Sequence, residues 1–249
     1  LKDEILDLKL RNKIDRILSD SNCTKVNLAY GNFLLSKYEQ KSKNYEKEFN
    51  YLLKGHKYYF ESEDNKKNKK HVQYWLNELP NVKELFNFNK FKKNIKKNYY
   101  KIKPIFIVGV PRCGSTLVEK IIASGKKVIP TGEEIGVIGT FIKEKLIKKQ
   151  SSDLEIEDFQ IKLTEMYKKK KLIHQKNDYT FTDKTLENFF YIGLIKEIFP
   201  HAKVINCRRS PLSSIMSILQ NNLPGVPWAH NLEHIFKYFD IYYEIINNF

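Results

Sequence analysis

The residues best suited to chemistry lie in a glycine-containing segment, Gly109–Thr116 (GVPRCGST), within a sequence of 249 residues. The segment follows a short apolar run and precedes a helical pattern, which is the order found in phosphate-binding loops. In such loops backbone N–H groups and a helix N-terminus converge on an anion, and Arg112 adds a planar guanidinium. The sequence therefore predicts an anion site here, in preference to a turn that only joins a strand to a helix.

The loop differs at one important position from loops that bind nucleoside triphosphates. The spacing from Gly109 to Gly114 agrees with theirs, but Ser115 follows where they carry lysine. A triphosphatase also needs an acidic residue at a strand end to hold magnesium. The third predicted strand is followed instead by Arg208 and Arg209. We therefore expect an anion that binds without a metal ion.

Arginine is scarce in this chain although lysine is abundant. The net charge is +15, yet only five residues are arginine, and three of them (Arg112, Arg208 and Arg209) fall in two short motifs. The lysines are spread along the whole sequence, as expected for solvated faces in a chain with a compositional bias. We therefore predict no nucleic-acid partner and assign the chemistry to the arginine motifs.

Several motifs resemble the sulfotransferase family, most closely the branch that carries tetratricopeptide repeats; tyrosylprotein sulfotransferases share the loop and the Gly-Glu-Glu element. The resemblance covers about Lys103 to the end. The segments that carry it are Phe106–Lys120, Thr131–Glu134, Thr182–Lys184, Asn188–Phe199, Cys207–Leu212 and Pro227–Ala229. It implies a co-substrate, 3′-phosphoadenosine 5′-phosphosulfate, whose sulfuryl group passes to an acceptor hydroxyl on a protein tyrosine, a carbohydrate or a small molecule.

The resemblance also implies the role of each site residue. The 5′-phosphosulfate would be held by the loop and the start of the next helix, which comprise Arg112, Cys113, Gly114, Ser115, Thr116 and Leu117. Arg209 and Ser217 would hold the 3′-phosphate. Glu133 would be the general base, with Glu134 favouring a helix start, and Lys184, held by Asp183, would neutralise the leaving group. Arg112 would also act in catalysis.

Two departures from the family pattern concern the loop, and a third concerns the C-terminal end. Cys113 and Ser115 replace the serine and threonine that are common in the family, but both keep their backbone N–H donors. The family continues beyond the point at which this sequence ends, at Phe249, so we expect a sequence truncated at its C-terminus.

The pattern after residue 100 predicts an α/β domain with a parallel, doubly wound sheet and a phosphate-loop-type nucleotide site, over residues 101–249. Predicted strands and helices alternate along this part of the chain. The strands are Pro104–Val108, Lys127–Pro130 and Lys203–Cys207, and the helices are Leu117–Ala123, Glu133–Lys148, Asp153–Lys169, Asn188–Phe199, Ser213–Gln220 and Leu232–Asn248.

Residues 1–100 predict a short all-α segment. Apolar residues recur at helical spacing in Val26–Tyr38 and Tyr45–Phe60, with a hydrophilic linker over Glu61–Lys70 and a further helix over His71–Phe86. The first two helices form a hairpin of tetratricopeptide type, in which His56 is a packed histidine. One such unit cannot bury its own face, so the segment is a candidate site for a protein partner.

Cysteine content and hydropathy exclude several classes of protein. Three cysteines are too few and too scattered for a disulfide framework or a zinc site, so we predict no metal and a reducing, cytoplasmic location. The longest apolar run is too short to span a membrane. Two alternatives to the sulfotransferase remain: a phosphate-loop kinase or nucleotide hydrolase, and a repeat-based binding scaffold with a degenerate nucleotide fold.

Overall fold

The computed structural model describes residues 7–62, 65–82, 102–125, 128–147, 156–173 and 179–249. Clustering of its contacts divides the chain into two compact units. The first comprises residues 1–78 and 215–241, and the second comprises residues 79–214 and 242–249. The predicted domain bounds, 1–100 and 101–249, stay a prediction. Among the described residues, no helix is both long enough and apolar enough to cross a membrane.

The first unit is built from helices. They are α1 (Leu8–Leu18), α2 (Lys25–Lys41), α3 (Tyr45–Ser62), α4 (Asn65–Gln73), a π-helical turn (Tyr74–Glu78), the last part of the helix Pro211–Leu219, a 3₁₀ turn (Pro227–His230) and most of the helix Leu232–Asn247. Thr24 caps α2, because its hydroxyl accepts a hydrogen bond from the backbone N–H of Asn27 at 3.2 Å. Gly55 of α3 lies against Phe33 of α2, where a Cβ atom would come within 2.7 Å of the ring.

Two predictions for this unit have different outcomes. The linker over residues 61–70 is wrong, because α3 extends to Ser62 and α4 begins at Asn65. Polar composition alone does not prevent a helix, and the Asn68 side chain donates to the Phe60 carbonyl at 3.0 Å. The packed His56 is confirmed: it is 1% exposed, and its Nε2 bonds the Leu219 carbonyl at 2.8 Å. Part of the predicted helix His71–Phe86, residues 83–86, lies outside the described residues.

The second unit contains a small parallel sheet of three described strands in the order β2-β1-β3. They are β1 (Ile102–Val108), β2 (Tyr179–Asp183) and β3 (Lys203–Asn206). The central strand carries the apolar run of the sequence, and Phe106, Ile107 and Val108 are all at most 2% exposed. The predicted parallel α/β arrangement is confirmed, whereas the doubly wound arrangement stays a prediction.

Helices connect these strands and continue the chain after them. They are α5 (Ser115–Ala123), α6 (Val137–Ile147), α7 (Ile156–Lys169), a 3₁₀ turn (Leu186–Tyr191), α8 (Ile192–Ile198), α9 (Pro211–Leu219) and α10 (Leu232–Asn247). Two of them, α9 and α10, contribute residues to both units. The predicted helix over Asn188–Phe199 is therefore a 3₁₀ turn followed by an α-helix.

Two predictions next to the sheet are wrong. Residues 128–130 of the predicted strand Lys127–Pro130 form no strand, although the chain then follows β2 through an isolated parallel bridge between Glu133 and Lys184. The helix predicted from Glu133 begins only at Val137, so Glu133 and Glu134 precede it. The sequence analysis also missed β2 as a strand, although the Thr182–Lys184 motif was recognised.

Candidate active site

The loops after β1 and β3 meet at the edge formed by the carboxyl ends of the strands. The backbone N–H of Cys207 donates to the Val108 carbonyl at 2.8 Å, which extends the pairing of β1 and β3 by one residue. A Cβ atom on Gly109 would lie 2.5 Å from Cys113 Sγ and 2.9 Å from the Cys207 carbonyl oxygen, so only glycine fits there. The chain runs from β1 to β2 on one side and then to β3 on the other. Ligands of open α/β sheets bind at such a reversal of strand order.

The predicted anion loop contains two left-handed residues directly before a helix. Arg112 has φ of +67° and Gly114 has φ of +99°, and α5 begins at Ser115. The first turn of a helix has N–H groups without acceptors inside the helix, and its dipole favours an anion. Gly114 has no atom within 4 Å of the position where a Cβ would stand, so its surroundings are open. The local backbone is therefore suited to an anion.

Arg209 connects the loop after β3 to this loop. Its Nη1 donates to the Arg112 carbonyl oxygen at 3.1 Å. A guanidinium has five N–H donors, so one bond to a carbonyl leaves donors for a second acceptor. Two of the three arginines singled out in the sequence are therefore neighbours at the loop.

Glu133 lies between the helix that follows the loop and the end of β2. Its Oε1 accepts hydrogen bonds from the Thr116 hydroxyl at 3.0 Å and from Lys184 Nζ at 2.9 Å. The bond from Lys184 is the main cause that lowers the pKa of Glu133, and Thr116 and Lys120 act in the same direction. The Glu133 side chain is 53% exposed, and no described residue donates to its Oε2. The motifs at residues 109–116, 131–134 and 182–184 therefore meet at one carboxylate.

Lys184 is a buried cation with two carboxylate partners. Its side chain is 8% exposed, and its Nζ lies 2.9 Å from Glu133 Oε1 and 3.5 Å from Glu134 Oε1. Glu134 adopts φ of +49°, and its Oε2 accepts from the Leu186 backbone N–H at 3.1 Å. The prediction that Glu134 favours the start of its own helix is therefore wrong, because it caps the 3₁₀ turn that begins at Leu186.

Asp183 does not hold Lys184, which corrects the predicted role. It is fully buried and accepts four hydrogen bonds: from Tyr167 OH at 2.7 Å, from Thr185 Oγ1 at 2.7 Å, from Thr185 N–H at 3.2 Å and from Asn188 Nδ2 at 2.8 Å. Burial raises the pKa of Asp183, and these donors offset part of that effect. Asp183 is also a strand-end acid, because it is the last residue of β2, a strand that the sequence pattern does not predict.

The remaining predicted site residues have varied surroundings. Leu117 is 65% exposed, whereas Cys113 is buried in contact with the Cys207 thiol. Burial raises the pKa of Cys207 to about 11, and all three cysteines are free. Ser217 lies in α9, in the part that belongs to the first compact unit. Among the described residues, no cluster of His, Cys, Asp and Glu could hold a metal ion.

Two buried polar residues that the sequence analysis missed lie beneath the Glu133 turn. Thr182 Oγ1 donates to Glu119 Oε1 at 2.6 Å, and the Gly132 backbone N–H lies 3.3 Å from the same hydroxyl. A glutamate in the apolar pattern of α5 was the available signal, since a buried carboxylate needs a hydrogen-bond partner.

Comparison with known proteins assigns the chain to a family, through a match that includes residues of both compact units. A model described as the sulfotransferase family matches residues 104–247. An uncharacterized protein of Aquifex aeolicus (strain VF5) is 28% identical over 223 residues, which cover 84% of this chain and 28% of the relative. The chain thus spans less than a third of that relative's length. No solved structure gives a significant match.

Proposed function

The chain belongs to the sulfotransferase family, and we propose that it transfers a sulfuryl group from 3′-phosphoadenosine 5′-phosphosulfate to an acceptor hydroxyl. The observation that carries this proposal is the meeting of Thr116, Glu133 and Lys184, which come from three separate motifs. The tetratricopeptide-repeat branch is the proposed subtype. The helical hairpin of α2 and α3 supports it.

The donor's 5′-phosphosulfate would bind at the loop that precedes α5. Arg112 and Ser115 would supply side-chain donors, and residues 114–116 would supply backbone N–H groups. The Thr116 hydroxyl already donates to Glu133, and the N–H groups of Cys113 and Leu117 already donate to the Val110 and Gly114 carbonyl oxygens. The left-handed conformation at Gly114 and the helix start at Ser115 support an anion at this position. Cys113 would shape the loop rather than bind the anion, because its N–H donates to the Val110 carbonyl oxygen at 3.3 Å and its buried thiol contacts Cys207.

The 3′-phosphate would bind Arg209, and Ser217 is a second candidate ligand from the sequence. Arg209 is already held near the loop by its bond to the Arg112 carbonyl. A donor with two anionic ends would therefore find an arginine for each end, which suits a bisphosphorylated nucleotide better than a simple phosphate ester.

Glu133 would act as the general base through Oε2. Since Oε1 accepts from both Thr116 and Lys184, the carboxylate is fixed in place while Oε2 has no described donor. As the acceptor oxygen bonds to sulfur, its proton would pass to Oε2, and the bond from sulfur to the phosphate oxygen would break. A base of this kind contributes roughly 10²- to 10⁴-fold to a rate.

Lys184 would exchange its partner when the donor binds. In the structure it donates to Glu133 and lowers the pKa of that carboxyl, which makes Glu133 a weak base. A move of Nζ toward the bridging oxygen would stabilise the charge that develops on the leaving phosphate. The same move would remove the main cause of the lowered pKa, so Glu133 would become more basic when a base is needed.

The kinase or hydrolase alternative is disfavoured by Asp183. This acid stands at the end of β2, where a magnesium ligand could be expected, but both of its oxygens accept bonds from Tyr167, Thr185 and Asn188. Ser115 also occupies the position of the loop lysine. The scaffold alternative does not explain why Thr116, Glu133 and Lys184 are in contact.

A transfer assay with sulfur-35-labelled donor tests the proposal. The chain is incubated with a tyrosine peptide, an oligosaccharide and a set of small alcohols, with EDTA present throughout. We expect label on at least one acceptor class, and none with an Arg112→Ala variant. Transfer of phosphate from ATP that requires magnesium would overturn the proposal, as would the absence of both transfer and donor binding.

The location and the partner are also proposals. The three free cysteines favour a reducing, cytoplasmic environment. The helical first unit would bind a protein partner, as repeat segments do.

A further inference from the structure

A buried hydrogen-bonded chain connects α5 to the turn that carries Glu133. The Gly132 N–H donates to Thr182 Oγ1 at 3.3 Å, and the Thr182 hydroxyl donates to Glu119 Oε1 at 2.6 Å. Glu119 is 2% exposed and Thr182 is 0% exposed. This hydrogen-bonded chain therefore lies in the interior. Its last member, Gly132, directly precedes Glu133 in sequence.

The bond at Gly132 interrupts an otherwise regular backbone pairing. Residues 130–134 follow β2 through three backbone bonds: Thr182 N–H to Pro130 O at 3.0 Å, Lys184 N–H to Gly132 O at 2.9 Å, and Glu134 N–H to Lys184 O at 3.3 Å. At Gly132 the N–H binds a side-chain hydroxyl in place of a carbonyl. The position of this turn therefore depends on where the Thr182 hydroxyl points.

Glu119 determines that direction. A hydroxyl has one proton, and Thr182 can accept from Gly132 with a lone pair only while its proton is directed elsewhere. The Glu119 carboxylate accepts the hydrogen bond that this hydroxyl donates. The backbone at Gly132 also packs closely against β2, because a Cβ there would lie 2.5 Å from the Thr182 carbonyl oxygen.

The helix that carries Glu119 also contacts the turn directly. Thr116, one turn earlier in α5, donates to Glu133 Oε1 at 3.0 Å. One helix, which begins at the proposed donor loop, is thus linked to the turn twice: through Thr182 to the backbone N–H of Gly132, and directly to the side chain of Glu133.

We propose that Glu119 is a positioning residue, which acts through the Thr182 hydroxyl to hold Gly132 and so place Glu133 beside Lys184. The inference rests on the proposed function, since it gives Glu133 a reaction to perform. Glu119 itself touches no reacting atom. Its loss is expected to reduce turnover while donor affinity stays the same.

Two substitutions break the hydrogen-bonded chain at different points. Glu119→Leu removes the acceptor and Thr182→Val removes the hydroxyl with little change in size. Because a misplacement of about 1 Å can cost 10²-fold in rate, we expect kcat to fall about 10- to 100-fold in each, with donor Kd within about twofold. The double variant should be no worse than either single variant. Thr182→Ser and Glu119→Gln, which keep the donor and the acceptor, should restore kcat to within about threefold.

Thr164→Val is the matched control. Its buried hydroxyl donates to the Gln160 carbonyl of its own helix at 2.6 Å, so the same substitution is made in the same unit without the link to Glu133. Its kcat should equal that of the wild type. If Glu119→Leu fails to fold, the nearly isosteric Thr182→Val and its rescue by Thr182→Ser provide the same test.

Hydrogen exchange of the Gly132 amide gives a readout independent of activity. We expect protection at Gly132 in the wild type and its loss in Glu119→Leu and Thr182→Val. Unchanged protection would overturn the inference even if no acceptor were found, whereas absent transfer with the expected exchange pattern would count only against the proposed function. A lower melting temperature with normal kcat would also overturn it, as would additive losses in the double variant.

Discussion

Two carboxylates close to Lys184, its ion-pair partner Glu133 and its sequence neighbour Asp183, have opposite surroundings. Glu133 is half exposed, shares one oxygen between Thr116 and Lys184, and has its pKa lowered mainly by the lysine. Asp183 is completely buried, binds four donors from Tyr167, Thr185 and Asn188, and has its pKa raised by burial. The hydrogen bonds of Glu133 can therefore change when a ligand binds, whereas those of Asp183 are fixed by burial.

This difference separates a carboxylate that can exchange its partners from one that is fixed in the interior. Glu133 can release Lys184 without becoming a buried, unpaired charge, because solvent reaches its side chain, and Lys184 keeps Glu134 as a partner. A hydrogen bond of Asp183 cannot break without a loss of stability, since a buried donor without an acceptor costs about 1–3 kcal/mol of folding free energy. Four predictions test the comparison, from the largest expected effect to the smallest.

Glu133→Gln should have the largest effect on the reaction. It preserves shape and hydrogen-bonding reach but removes the basic oxygen, so kcat should fall by roughly 10²- to 10⁴-fold with donor Kd within about twofold. The control is Glu134→Gln, whose residue caps the Leu186 turn and should cost far less turnover. If Glu134→Gln were the more damaging of the two, the base would be one residue further along; steady-state kinetics and melting curves decide between them.

Asp183→Ala should reduce stability more than it reduces chemistry. The substitution leaves buried donors of Tyr167, Thr185 and Asn188 without an acceptor, which should lower the free energy of unfolding by about 3 kcal/mol. Urea unfolding measures this loss, and turnover per folded molecule should stay within about threefold. A stable variant with severely reduced turnover would show that Asp183 takes part in the reaction.

Arg209→Lys tests a side chain with one contact inside the protein, to the Arg112 carbonyl, and one proposed contact, to the 3′-phosphate of the donor. Its bond to the Arg112 carbonyl can be kept by lysine, but a bidentate contact with phosphate cannot. Binding of 3′-phosphoadenosine 5′-phosphate should weaken by about 1–3 kcal/mol, whereas adenosine 5′-phosphosulfate, which lacks the 3′-phosphate, should bind within about threefold of wild type. Equal losses of affinity for both nucleotides would show that Arg209 does not bind the 3′-phosphate.

The two carboxylates should also affect stability with opposite dependence on pH. The pKa of Glu133 is lowered by folding, so its contribution is present above its ordinary pKa and is lost as the pH falls through the folded value. The pKa of Asp183 is raised, so its contribution is greatest at low pH and is lost as the pH rises through the folded value. The effect of Glu133 is the smallest predicted here, because solvent screens an exposed ion pair.

Urea unfolding of wild type, Glu133→Gln and Asp183→Asn over about pH 3.5 to 7 measures both signs. The stability difference between wild type and Glu133→Gln should increase with pH, and that between wild type and Asp183→Asn should decrease. Two differences of the same sign would contradict the contrast between the two sites.

The sequence predicted the central strand and the loop well because both depend on local signals. The apolar run of β1 and the glycines at 109 and 114 are contiguous. β2 was missed because its five residues end in a charged motif, and residues 128–130 were overpredicted because β-branched residues next to proline resemble a strand. The linker was mispredicted because asparagine and lysine were interpreted as loop formers, although α4 includes them.

The contacts within the candidate site could not be predicted from local pattern. Glu119 and Thr182 are 63 positions apart, and Tyr167 lies 16 positions before the carboxylate it binds. The packing of α5 and α7 against β2 brings these groups together, and that packing is not encoded in a local pattern. The resemblance named Glu133 and Lys184, but the structure was needed to see that they contact each other and that Asp183 supports neither.

Calorimetric titration of the chain with 3′-phosphoadenosine 5′-phosphate in the presence of EDTA tests the central claim most directly. The account predicts saturable binding at one site per chain without a metal ion, which Arg112→Ala abolishes and Arg16→Ala, on α1 of the first unit, leaves unchanged. The absence of binding by the wild type, or binding of ATP alone and only with magnesium, would contradict it.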